Sequence, residues 1–155
     1  LSQLANREVT VTKGTRLVRA AVPCLTARWV DEDNKLLYAG FCELSLGASL
    51  GAALGMRPSH AVTQMLKARA VPEELHADTR EVFNVLSRAF NDAGSVHTLL
   101  EEIYFPPKRP PIDVVKLDRR PAARRDFHVT VEGYGSGKLA VVSADKRFIC
   151  HGHGG

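Results

Sequence analysis

The sequence predicts an α+β fold, a mainly antiparallel sheet with helices packed on one face. Three observations predict it. Strand-like runs open the chain, helical patterns fill its middle, and strand patterns return at its end. Segregated runs of this kind build antiparallel sheets with their helices gathered together, whereas a doubly wound nucleotide-binding sheet alternates strand and helix. With 155 residues, 45% of them hydrophobic and 25% charged, the chain is expected to form one domain with its own core. Residues 1–6 and 146–155 read as flexible tails.

The elements follow in order. "REVTVTK" alternates apolar and polar residues and predicts a first strand. "CLTARWV" and "KLLYAGFCELSL" predict two more, joined by a hairpin turn at "DEDN". "GASLGAALGM" is small and helix-like, with glycines that let another element approach closely. Ser59 is placed to cap a helix over 60–69, with Val62, Met65 and Leu66 facing inward. A long helix is expected over 72–93, with Pro72 at its first position, Glu73 and Glu74 at its positive end, and Gly94 as its stop. A shorter helix is expected over 96–103. "FPPKRPP" breaks the chain, and "IDVVKL", "DFHVTVEGY" and "KLAVVSA" read as closing strands. "GYGSGK" fails as a phosphate loop, because Leu139 stands where Ser or Thr should follow the lysine; it reads as a hairpin turn.

Charge and cysteines narrow the classes. The formal net charge is +4, and segment 108–125 holds seven basic and two acidic residues. It suits a solvated loop around a strand, or an anionic partner. No aromatic interleaves these arginines, so single-stranded nucleic acid is not an expected ligand. Cys24, Cys42 and Cys150 show no even count and no C-x-x-C spacing, which favours reduced thiols in a cytoplasmic protein. Cys150, His151 and His153 cluster in a glycine-rich tail that lacks a fourth ligand for a metal. His60, His76, His97 and His128 are scattered, and each reads as surface or packing. No apolar stretch spans a bilayer, and no signal-peptide pattern opens the chain. The first residue is Leu1 rather than Met, which suits an upstream piece having been trimmed.

The long helix has two sides. Leu75, Thr79, Val82, Phe83, Leu86, Ala89 and Phe90 follow helical spacing and form the side to be buried. Glu81, Asn84, Arg88 and Asn91 share the opposite side. Asparagine in a helix interior costs about half a kcal/mol relative to alanine. Its presence at position 84 asks for a reason.

Glu81-x-x-Asn84 is followed, after 22 intervening residues, by Pro107. This resembles the E-x-x-N…P signature of the CheC/CheX/FliY family of chemotaxis phosphatases. The order of hairpin, helix, motif-bearing helix and closing strands is also similar to that family's, over residues 7–144. The resemblance implies a CheX/CheC-like fold and hydrolysis of a response regulator's phosphoaspartate in two-component or chemotaxis signalling. Asn84 would orient a water in line with phosphorus, Glu81 would pair with a lysine of the regulator, and Pro107 would be a structural marker. The partner would be a phosphorylated CheY-like receiver domain. Its own Mg²⁺ would serve, so the chain needs no cofactor. A single motif copy resembles the CheX branch, which implies a homodimer. Two positions depart from the family pattern. Ala77 stands where Asp or Ser is frequent, and Arg88 follows one turn after Asn84, where small residues are common. These departures, with the basic segment, also fit a non-catalytic module in which Arg88 contacts an acidic receiver surface, or a flagellar or scaffold component.

Overall fold

The computed structural model describes residues 3–4, 7–19, 21–93 and 97–145; at positions 3, 4, 7, 86, 89, 90, 92 and 93 it describes the backbone only. The fold is α+β, as the order of patterns predicts. Chain order is β1 (Gln3–Leu4), β2 (Arg7–Lys13), β3 (Cys24–Val30), β4 (Leu36–Glu43), α1 (Leu44–Leu54), α2 (His60–Ala68), a 3-10 turn (Glu73–Leu75), α3 (His76–Ala93), β5 (Leu99–Tyr104), α4 (Ile112–Arg119), β6 (Ala123–Val131) and β7 (Gly135–Ser143). The strands form one sheet in the order β1-β2-β6-β7-β4-β3-β5. Every pairing is antiparallel.

Local chemistry explains both long hairpins. Between β3 and β4, Asp31 Oδ1 accepts from the Asp33 and Lys35 amides at 2.8 and 2.9 Å, and Asn34 takes a positive φ of 63°. An Asx turn of this kind is what "DEDN" predicts. Between β6 and β7 the Tyr134 amide donates to the Val131 carbonyl at 3.0 Å, with Gly133 at φ 81°. That conformation favours glycine, and "GYGSGK" is accordingly a hairpin.

The sheet is covered on both faces at its centre, so β3 and β4 are buried almost throughout. One face presents Leu25, Ala27, Trp29, Cys42 and Val141 to the core beneath α1–α3. The other presents Ala39, Phe41, Ala140 and Val142, which pack on Val114 of α4 and on Leu17. Strand alternation sends neighbouring residues to opposite faces, and here both sets are apolar. Three helices share one face as predicted; α4 covers part of the other.

Several local expectations are corrected. "IDVVKL" is not a strand but α4. Pro111 precedes it, Asp113 lies in its first turn, and Lys116 and Arg119 lie in its last. These are helix signals, and Val114 with Leu117 at i, i+3 forms its inner stripe. The helix expected over 96–103 is instead β5, paired with β3. Leu and Glu favour helix locally, but the open backbone of buried β3 recruits a strand partner. The strand expected over 35–46 runs only Leu36–Glu43, and α1 begins at the next residue. The long helix starts as a 3-10 turn, with Pro72 extended (ψ 146°) ahead of it. Ser59 makes no side-chain cap bond, and Leu66 of α2 is exposed. Gly94 and residues 146–155, with their Cys-His cluster, lie outside the described residues. So do residues 1–6, apart from β1. Among the described residues no helix is long and apolar enough to cross a membrane.

Candidate functional site

Helix α3 is fixed from three directions. Its inner side buries Thr79, Val82 and Phe83, with Leu75 just ahead of it. Glycines of α1 let it approach. A Cβ at Gly51 would lie 2.7 Å from Thr79 Oγ1, and one at Gly55 would lie 2.9 Å from Leu75 Cδ2. From the sheet, Trp29 packs against Phe83 with ring centroids 6.0 Å apart. The Trp29 indole N–H donates to Ser87 Oγ at 2.7 Å, and Ser87 donates to the Phe83 carbonyl at 3.2 Å. From β5 and the residue before it come two further ties. Arg80 donates to the Leu100 carbonyl at 3.2 Å. Asn91 donates to the Thr98 carbonyl at 3.0 Å and accepts from the Thr98 amide at 2.6 Å. Asn91, placed by its spacing on the outer side, thus has an anchoring job.

The outer ridge that remains carries Ala77, Glu81, Asn84 and Arg88. Ala77, Glu81 and Arg88 are exposed, and Asn84 is half-buried. Among the described residues the Asn84 amide has no hydrogen-bond partner. Arg88 Nη2 lies 3.5 Å from Glu81 Oε1, with the side chains 69% and 52% exposed. An ion pair so open to water contributes about 0–1 kcal/mol, so a partner's charge can replace either member. The structure brings Glu81, Asn84 and Arg88 together. Pro107 lies apart from them, past the end of β5, on the wall of a cavity of about 480 Å³ beside the first turns of α3. Val71, His76, Ala77, Arg80 and Phe105 share that cavity's lining.

Such a ridge can pair with charge and orient a water through an amide. Thiol chemistry has little support elsewhere. Burial pushes the Cys24 thiol up to about 11 and raises Cys42 further, with Glu43 adding to both. Both are therefore neutral at ordinary pH. His76 stacks on Phe105 at 3.6 Å, and its Nε2 lies 2.9 Å from the Val71 carbonyl, which makes it packing. His60, His97 and His128 are exposed. Among the described residues no group of three or more His, Cys, Asp or Glu is placed to hold a metal ion. Sequence spacing did not single out Arg80 and Ser87, which hold the ridge in place. Ser87 had a signal, since it is a polar residue one turn after Phe83 on the apolar side.

No family model matches the chain, and no curated protein sequence does. Solved structures of the same fold do. The middle domain of FliM from H. pylori aligns with TM-score 0.51 and 9% identity, over 92% of this chain and 79% of that one. FliM in the H. pylori FliG–FliM complex gives 0.53 and 9%, over 92% and 81%. Thermotoga maritima FliY gives 0.51 and 11%, over 97% and 84%. These neighbours share the CheC/CheX/FliM-middle fold, and at such identities the likeness is one of fold.

Proposed function

We propose that this chain is a CheX-like module that docks a phosphorylated receiver domain on the α3 ridge and speeds hydrolysis of its phosphoaspartate. The carrying observation is the Asn84 amide. It sits half-exposed and unpartnered among the described residues, one turn from the exposed Glu81, on a helix held at Gly51, Trp29 and β5. Glu81 pairs with a lysine of the receiver. Asn84 accepts a hydrogen bond from a water and holds it in line with phosphorus. The water oxygen bonds to phosphorus as the bond to the aspartyl oxygen breaks. The aspartate leaves as carboxylate, and the water's proton goes to the departing inorganic phosphate. Such a reaction relies on positioning and on the receiver's own Mg²⁺, so an uncharged amide is sufficient. The fold shared with FliY and the FliM middle domain supports a protein-docking module of chemotaxis or flagellar signalling, and the proposed receiver partner would put its work in the cytoplasm.

The test follows phosphate loss from a panel of phosphorylated CheY-like receivers with and without the protein. Acceleration of about tenfold or more is expected with one of them, and Asn84→Ala should return that receiver to its intrinsic lifetime with the helix content unchanged. Equal lifetimes across the panel with wild-type protein would sink the catalytic reading. The Glu81–Arg88 pair favours a second reading, in which the ridge binds a receiver through Arg88 without hydrolysis. A tight complex with unaltered phosphate lifetime is its signature.

A further inference from the structure

We propose that the outer side of α4 is a second docking surface, one that takes an acidic protein segment carrying an apolar side chain. The surface lies across the sheet from the α3 ridge and does not depend on what the ridge does.

Segment 108–125 has two acids, and both are engaged by arginines, Asp118 largely covered and Asp113 still 41% exposed. Asp113 holds Arg28 of β3 at 2.7 Å. Asp118 holds Arg19 at 3.1 Å and Arg124 of β6 at 3.4 Å. Four of the segment's seven cations face out unpaired among the described residues. Lys116, Arg119 and Arg120 are exposed, as is Arg109 in the preceding turn. Among the described residues none of these four has an ion pair. Ile112, Lys116 and Arg119 stand at i, i+4 and i+7, one stripe along the helix. Ile112 is 66% exposed. Lys116 and Arg119 also complement the helix dipole, but that accounts for neither Arg109 nor the bare isoleucine.

The stripe's chemistry selects among anionic partners. A phosphate backbone would use the cations and leave Ile112 idle, and no aromatic is at hand for base stacking. A membrane surface needs a broad apolar face, whereas this two-turn helix offers one large apolar side chain. An acidic segment with an apolar residue uses both features. It neutralises three or four cations and covers the isoleucine, with polar rim and apolar centre arranged as in protein interfaces.

Fluorescence anisotropy of a labelled peptide of alternating glutamate and leucine, titrated with the full chain, tests this. Binding is expected at about 0.05 M salt and should weaken about tenfold by about 0.3 M. K116E/R119E/R120E should abolish it, and Ile112→Ala should weaken it several-fold. Asn84→Ala should leave it intact. The milder K116Q/R119Q/R120Q variant gives the same answer should charge reversal disturb the fold. The proposal is overturned by no binding at low salt or by unchanged binding in the glutamine variant. It is equally overturned if duplex DNA, or vesicles of phosphatidylcholine with phosphatidylglycerol, bind better than the peptide.

Discussion

Arg88 decides how available Glu81 is. The pair is exposed and weak, yet it places a positive charge on the ridge beside the carboxylate assigned to docking. If Glu81 must reach a lysine of the receiver, Arg88→Ala removes a competitor and raises kcat/KM by up to about fivefold. If Arg88 is itself the contact, the same substitution weakens receiver binding by a similar factor. The opposite signs, read by phosphate-release kinetics and a binding titration, separate the two readings. Ser87 belongs to the same helix and acts inward. Ser87→Ala removes the hydrogen bond from Trp29 and should lower stability by about 1 kcal/mol. Urea unfolding followed by the fluorescence of Trp29, the chain's one tryptophan, would measure it. The outer placement of Glu81 and Asn84 was legible because the helix that carries them is strongly periodic. Asn91 shares that spacing, but its tie to Thr98 depends on where the chain turns back, which periodicity does not encode.

Elements were legible where their local pattern agreed with their surroundings. β2 keeps the bounds read from its alternation and β3 those of its apolar run, and Asp31 organises its own turn. β5 and α4 were misread for opposite reasons. "LLEEIY" is a good helix former pulled into the sheet by the open edge of β3. "IDVVKL" is rich in β-branched residues, yet it is helical, and the buried Arg28 holds Asp113 in its first turn. In α1 the prediction of close approach holds, and it has a measurable price in stability. Gly51→Val places methyl groups against fully buried Thr79, so the α1–α3 contact must open. A loss of about 1–3 kcal/mol is expected in urea unfolding. If the ridge acts on a receiver as proposed, a milder loss of that activity should accompany it, because the ridge rides on that contact.

At the scale of the whole molecule, the two faces of the sheet are held differently. The α1–α3 face relies on apolar packing. The α4 face adds two arginine-centred clusters, Arg28 with Asp113 and Glu101, and Arg124 with Asp118 and Asp126. Burial of Asp126 opposes its ionisation. The hydrogen bonds from Arg124 and the Leu17 amide outweigh that, and its carboxyl is held below the usual carboxylate range. A depressed folded-state pKa gives stability that is fully present above the unfolded value, about 3.9, and lost as pH falls through the folded one. Unfolding midpoints measured from pH 7 down to about pH 2 should therefore fall below about pH 4. Asp126→Asn should lower the midpoint at pH 7 and flatten that acid limb.

If a second copy adds along β5 and a receiver docks on the ridge as proposed, the tie between Arg80 and β5 would couple the two events. Arg80 holds a carbonyl of the edge strand and stands next to Glu81 in sequence. A second copy adding along β5 would disturb that arginine, and a receiver settling over Glu81 would meet its neighbour. Linkage then works in both directions: whatever factor self-association applies to receiver affinity, the receiver applies to self-association. Sedimentation of the protein with and without a bound receiver would show that factor, and Arg80→Ala should bring it close to one.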